Sequence, residues 1–171
     1  MKIVLVGYMG SGKSTIGKLL SKKLKINFID LDDYIVSRLK MPISELFEEK
    51  GELFFRKKER EYLQELMHKK TSFILATGGG TPCYGDNLRI IQEGTTLDFY
   101  LKLSIPSLVQ RLLSEKENRP ILKNIANDAL PEFIGKHLFE RNNYYLKANH
   151  SIQCDGLPPE ALVEEIIRRL E

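Results

Sequence analysis

Lys2-Ile3-Val4-Leu5-Val6 runs straight into Gly7-Tyr8-Met9-Gly10-Ser11-Gly12-Lys13-Ser14-Thr15. The first five residues are a short apolar run that reads as a buried strand. The next nine fit G-x-x-x-x-G-K-[ST], and Ile16, Leu19, Leu20 and Leu24 then fall at helical spacing over 13–24. A strand, a glycine loop and a helix in that order form an anion cradle. Glycines let backbone N–H groups close around phosphate oxygens, and the new helix turns its positive end on the same anion. Lys13 is expected to reach the β- and γ-phosphates of a nucleotide, and the Ser14 hydroxyl to ligate Mg²⁺. Gly10, Ser11, Gly12 and Thr15 complete the cradle. The alternative is a glycine-rich turn of no function, and the strand–loop–helix setting argues against it.

Outward from this loop, strands and helices alternate. Further strands read over 27–29, 72–77, 96–103 and 151–154, and helices over 33–39, 44–69 (interrupted at Gly51), 87–92, 105–113, 130–147 and from Pro159 on. The stretch 114–127 is polar, holds Arg119-Pro120, lacks a clear period and is expected to be a mobile loop. The alternation predicts an α/β fold, a parallel sheet of about five strands covered on both faces by helices in three αβα layers. Ligands on such sheets bind at the carboxyl ends of the strands.

The 171 residues suit one domain, with 42% hydrophobic and 29% charged residues to build a core and a wet surface. Two cysteines exclude a disulfide scaffold and a four-cysteine zinc site. A net charge of +3 calls for neither nucleic acid nor a membrane, but fits a site that holds anions. No apolar run approaches the ~18 residues of a membrane span, so a cytoplasmic location is expected. His68, His137 and His150 show no metal spacing and read as surface or packing residues; Cys83 and Cys154 read as buried thiols. The Asn149-His150-Ser151 sequon reads as accidental, and Lys57-Lys58 and Lys69-Lys70 as solvated faces.

Asp30-Leu31-Asp32-Asp33 follows the second strand. In extended backbone, residues 30 and 32 face one side. Two carboxylates beside a phosphate loop can divide labour, one in the metal's shell and one accepting a proton from an attacking hydroxyl. The alternative is a helix start at Asp32 or Asp33. The strand over 72–77 ends in Thr77 and glycine, with no aspartate of the Walker-B kind. Asp30 is therefore the candidate for the outer shell of Mg²⁺. Arg56 stands three residues before Glu59, which can brace it, and beside aromatics that can wall a pocket while the guanidinium clamps a carboxylate. Gly78-Gly79-Gly80 offers bare N–H groups at a strand end. Arg119 can close over a transferring phosphate. Taken singly, Arg56 reads equally as a solvated helix residue, the glycines as a loop and Arg141 as a surface ion-pair residue.

Taken together, the order of motifs resembles the shikimate kinase family. Gly10-Ser11-Gly12-Lys13-Ser14-Thr15 is followed by Asp30-x-Asp32, Gly51-x-x-x-Phe55-Arg56-x-x-Glu59, Gly78-Gly79-Gly80, Arg119-Pro120-Ile121-Leu122 and Glu140-Arg141-x-x-x-Tyr145. The resemblance covers nearly the whole chain. It implies a fold of the P-loop NTPase type with a mobile lid over about 114–127 and a substrate-binding helical region over about 32–62. It implies transfer of the ATP γ-phosphate to the 3-hydroxyl of shikimate with Mg²⁺, by a cytoplasmic monomer. By that likeness Lys13, Asp32 and Arg119 serve catalysis, and Asp32 meets the acceptor hydroxyl. Arg56 and Arg141 grip the shikimate carboxylate, the backbone of Gly78, Gly79 and Gly80 touches the ring hydroxyls, and Phe47, Phe55 and Glu59 complete that site. Arg119 and Arg111 attend ATP, Arg111 beside the adenine. The loop Asp155-Gly156-Leu157-Pro158 lacks the basic residue that some members place near the adenine. Two other readings remain: a kinase of another small acceptor, such as gluconate or a nucleoside monophosphate, and a nucleotide-binding regulatory module without catalysis.

Overall fold

A computed structural model of the chain describes residues 1–170. Five strands form one sheet: β1 (Lys2–Val6), β2 (Asn27–Asp30), β3 (Phe73–Ala76), β4 (Asp98–Lys102) and β5 (His150–Gln153). Their order is β2-β3-β1-β4-β5, and every neighbouring pair is parallel. Ile3 to Val6 and Phe73 to Ala76 are buried throughout, as central strands covered on both faces must be. Strands β1 and β3 are neighbours, yet the chain leaves them toward different elements, and a crevice opens beyond their carboxyl ends.

Helices α1 (Lys13–Leu24), α2 (Leu31–Leu39), α3 (Ile43–His68), α4 (Asn87–Gly94), α5 (Ile105–Glu115), α6 (Pro120–Lys123), α7 (Leu130–Tyr145) and α8 (Pro159–Arg168) cover the sheet. Helix α1 buries Ile16 and Leu20 against the strands and packs beside α8. Helix α3 packs on α2 and α4, and α5 on α7. Within α3, Gly51 adopts φ 83° and ψ 167°, so the helix is kinked where the sequence reading interrupts it. That left-handed φ strains any residue with a Cβ.

Two expectations need correction. Helix α2 begins at Leu31, so Asp30 and Asp32 do not share a face of an extended strand. Asp30 ends β2 and caps α2, its Oδ1 accepting from the Asp32 backbone N–H at 3.1 Å, and the cap falls on neither Asp32 nor Asp33. The stretch 114–127 is also not featureless. It contains the end of α5, a tight turn over 116–118 and α6, anchored by the fully buried Leu122. A four-residue helix is too short for the periodicity that marks longer ones. Of the two cysteines, Cys154 is buried and Cys83 only partly so.

The fully buried Asp98 accepts from the Asn149 backbone N–H at 3.2 Å and from its side-chain amide, holding the start of β5 beside β4. Replacing Asp98 by alanine removes both hydrogen bonds, and since Asn149 is exposed and its donors can turn to water, the expected cost is about 1 kcal/mol. Thermal unfolding should show a clearly lower Tm, with KM values unchanged; an unaltered Tm would remove the lock.

Candidate active site

The loop after β1 is shaped for close approach. Gly10 and Gly12 sit at φ 78° and φ 93°, and Gly12 leads into α1 with no side chain capping the helix. The first amides of α1 are thus free for an anion. Lys13 is buried, and its Nζ donates to the Gly7 and Tyr8 carbonyls at 2.7 and 2.9 Å. Burial pulls its amine down to about 8; Asp32 opposes this, the Arg119 charge adds to it, and Asp30 and Arg141 act in opposite senses. Ser14 Oγ donates to Asp30 Oδ2 at 2.6 Å, so the capping carboxylate of α2 also reaches the first turn of α1.

A cavity of about 280 Å³ opens above this loop. The loop contributes Gly10, Gly12, Lys13, Ser14 and Thr15; Asp30 and Asp32 come from the β2–α2 junction, and Thr77, Gly78 and Gly79 from the end of β3. Arg111, Glu115 and Arg119 close the remaining side. Ser11 is buried inside the loop, its Oγ 3.4 Å from Lys13 Nζ. Arg119 donates twice to Glu115 Oε2, at 3.0 and 2.6 Å, and Arg111 Nη1 donates to the Gly10 carbonyl at 3.2 Å. A smaller cavity of about 160 Å³ lies beside Gly12, Thr15 and Arg111, walled by Leu157, Pro159 and Leu162. Asp155 is absent from it, because its carboxylate accepts from Ser104 and Ser107 at the start of α5.

Beyond the first cavity lies the glycine strip. None of Gly78, Gly79 and Gly80 has a positive φ, so what these positions require is space. A Cβ on Gly78 would stand 3.2 Å from Asp32 Oδ1, one on Gly79 3.3 Å from Arg141 Nη1 and from the Met9 backbone N, and one on Gly80 2.9 Å from Arg56 Nη2. Four distant stretches of sequence, at Met9, Asp32, Arg56 and Arg141, therefore converge on the strip. Arg56 Nη1 donates to Glu59 Oε2 at 2.9 Å, while Thr81 Oγ1 donates to Glu59 Oε1 at 2.7 Å, so the buried Glu59 ties α3 to the strip. Arg56 and Arg141 are thus paired around a shared feature and are not lone surface residues. The Phe47 and Phe55 rings are 4.8 Å apart; Phe55 is buried and Phe47 partly exposed. Arg56, Glu59, Phe47, Phe55, Gly80 and Arg141 are not part of the wall of the 280 Å³ cavity.

Asp32 is half-buried, and burial pushes its carboxyl up to about 6. The neighbouring Asp30 and Glu59 carboxylates push the same way, while Lys13 and Arg56 oppose. Near neutral pH this group exchanges a proton easily, as a base for a hydroxyl requires. Among the described residues, no three His, Cys, Asp or Glu side chains cluster to hold a metal on their own. The Ser14–Asp30 pair offers hard oxygens beside an anion cradle. That donor set suits Mg²⁺, which takes few protein ligands and completes its shell with phosphate and water.

Two supporting contacts escape the sequence reading, although Tyr145 itself stands in the motif Glu140-Arg141-x-x-x-Tyr145. Tyr145 donates to the Gly79 carbonyl at 2.5 Å, fixing the strip from α7. Tyr8 OH lies 2.8 Å from His137 Nδ1, tying the phosphate loop to the helix that carries Arg141. Burial, assisted by the Arg141 charge, holds His137 down at about 4, so it is neutral at physiological pH. These partners are 66 and 129 residues apart, and no local spacing signals them.

A family model described as shikimate kinase matches residues 9–171. A shikimate kinase of Flavobacterium psychrophilum is 53% identical, covering 96% of each chain, and one of Flavobacterium johnsoniae is 44% identical, covering 97% of this chain and 96% of the other. Among solved structures, a shikimate kinase from Bacteroides thetaiotaomicron superposes with a TM-score of 0.89 at 37% identity, covering 99% of this chain and 96% of the other. One from Acinetobacter baumannii in complex with shikimate reaches 0.88 at 29% identity, covering 99% and 92%. A gluconokinase from Sinorhizobium meliloti reaches 0.62 at 16% identity, covering 99% and 92%, a likeness of fold alone.

Proposed function

This chain belongs to the shikimate kinase family, and from that premise we propose how its own residues carry the reaction, the transfer of the ATP γ-phosphate to the 3-hydroxyl of shikimate. The phosphates of ATP lie in the cradle of Gly10 to Thr15, with Lys13 Nζ leaving the loop carbonyls for the β- and γ-oxygens. The partly apolar cavity beside Arg111 takes the adenine, with Leu157 and Pro159 standing where a basic side chain is lacking. Ser14, with Asp30 in the outer shell, would hold Mg²⁺, which would neutralise phosphate charge. Arg119 leaves Glu115 for the transferring phosphate as the segment over about 114–127 closes as a lid.

The acceptor lies across the glycine strip in the helical region over about 32–62. Arg56 and Arg141 hold its carboxylate, Gly78, Gly79 and Gly80 touch its hydroxyls through their backbone, and Phe47 and Phe55 wall its ring. Glu59 holds Arg56 in place. Asp32 accepts the hydrogen bond of the reacting hydroxyl and takes its proton as that oxygen bonds the γ-phosphorus and the bond from the γ-phosphorus to the bridging oxygen breaks, with ADP as the leaving group. The observation that carries this reading is the crowding of Asp32, Arg56 and Arg141 onto three consecutive glycines, with the Met9 amide of the phosphate loop at the same strip. On this reading the enzyme is a monomer acting in the cytoplasm, where ATP is supplied.

ADP release is the test, followed with shikimate, gluconate and a nucleoside monophosphate as acceptors. Turnover with shikimate at least a hundredfold above the others is expected. Equal rates would overturn the assignment, and ATP binding without turnover on any acceptor would favour a regulatory module. Arg56→Ala is expected to raise the KM for shikimate by about 10²-fold with that for ATP little changed, since a charge-assisted bidentate contact is lost. Arg56→Lys should recover only part, because an ammonium cannot reproduce the fork. A selective loss of ATP affinity would show that the carboxylate grip lies elsewhere.

A further inference from the structure

We propose that Tyr84 is a positioning residue for acceptor binding, setting the plane of the Arg56 guanidinium. The inference rests on the assignment of Arg56 to the acceptor's carboxylate. Tyr84 follows the tight turn Thr81–Cys83 beyond the glycine strip. Arg56 Cζ stands 3.8 Å from the centroid of its ring, against 5.2 Å from that of Phe55. The Tyr84 ring is fixed in turn. Its hydroxyl donates to Glu52 Oε1 at 3.1 Å, and a Cβ on Gly80 would meet its Cε2 at 3.2 Å.

Arg56 needs such a surface. Its Nη1 is committed to Glu59, and its buried Nε has no hydrogen-bond partner, Glu52 Oε1 standing 3.5 Å away. Held by its own chain at Cδ and by one hydrogen bond at Nη1, the flat group can still turn about the line between those two points. A carboxylate is bound bidentately only when the guanidinium plane contains both of its oxygens. The stacked ring removes the rotation and supplies a cation–π attraction. Losing it leaves the charge in place and charges the ordering cost to substrate binding. Tyr84 is partly exposed, so its ring does not belong to the core.

The test compares Tyr84→Ala, Tyr84→Phe and Arg56→Ala with the wild type in steady-state kinetics with ATP and shikimate. Tyr84→Ala is expected to raise the KM for shikimate about five- to tenfold, with kcat and the KM for ATP within twofold and Tm little altered. Tyr84→Phe keeps the ring face and should restore the KM to within about threefold of wild type. The double variant Arg56→Ala/Tyr84→Ala should bind shikimate no worse than Arg56→Ala alone, since Tyr84 acts only through Arg56. A KM within twofold of wild type in Tyr84→Ala would overturn the proposal while leaving the function intact, as would Tyr84→Phe being as impaired as Tyr84→Ala. A wild type that fails to phosphorylate shikimate would overturn both.

Discussion

Lys13→Ala is expected to lower kcat with saturating shikimate by about 10³-fold, or ~4 kcal/mol of transition-state stabilisation. Phosphoryl transfer asks the protein for position and positive charge more than for covalent help. Lys13 is the buried cation of the phosphate cradle, and its charge is held there at a cost, as its lowered pKa of about 8 records. With the folded value below the ordinary 10.5, the protonated amine destabilises the nucleotide-free fold. That cost is full below pH 8 and fades between pH 8 and 10.5. Lys13→Ala should therefore fold at least as well as the wild type at pH 7, separating lost chemistry from lost structure. Rapid-quench measurement of the phosphoryl-transfer step checks the first part and thermal unfolding the second. Near-normal turnover would remove Lys13 from the phosphate site.

Asp32→Asn is expected to lower kcat by about 10²–10⁴-fold while leaving the KM for ATP within twofold. The amide keeps the shape and can still accept a hydrogen bond, but it cannot take the hydroxyl proton. The wild-type kcat/KM for shikimate should fall below pH 6 as Asp32 becomes protonated, and this limb should vanish in the variant. Stability moves the other way. The folded carboxyl, at about 6 against an ordinary 3.8, binds its proton more tightly than the unfolded one. Its contribution is full below 3.8 and is lost as pH rises through 6. Ionised Asp32 thus costs the free fold about 1–2 kcal/mol at pH 8, allowing for its partial exposure. Asp32→Asn should melt above the wild type at pH 8 and with it at pH 3. An unchanged kcat would remove Asp32 as base and as orienting group.

How much was legible in the sequence depended on the range of each signal. The phosphate loop is contiguous, its glycine and lysine spacing is dictated by the ligand, and the structure keeps it between β1 and α1. The order of strands and helices was equally plain, because burial on both faces leaves unbroken apolar runs such as 73–76. The expectation that Asp30 and Asp32 share one face of an extended strand fails, although both line the cavity above the loop. Capping by Asp30 starts the helix two residues early, and a short polar cap can displace a pattern argument based on extended chain. The turns and short helix within 114–127 left no trace, since one buried leucine, Leu122, gives no period. The bracing of Arg56 by Glu59 is an i,i+3 relation and could be read locally; its stacking on Tyr84, 28 residues on, could not.

The kink at Gly51 and the crowding of the glycine strip divide the future of this pocket unequally. A Cβ added at Gly78, Gly79 or Gly80 meets the side chain of Asp32, Arg141 or Arg56 within 3.3 Å. At Gly51 a Cβ would meet nothing within 4 Å, so only the backbone angle is constrained. On the proposed placement of the acceptor, drift toward a bulkier or differently shaped one is therefore barred at the floor and less constrained in the short arm 43–50, where Phe47 is partly exposed and reaches Arg56 only through Phe55. Lineages that change their acceptor should vary in that arm and keep the floor bare.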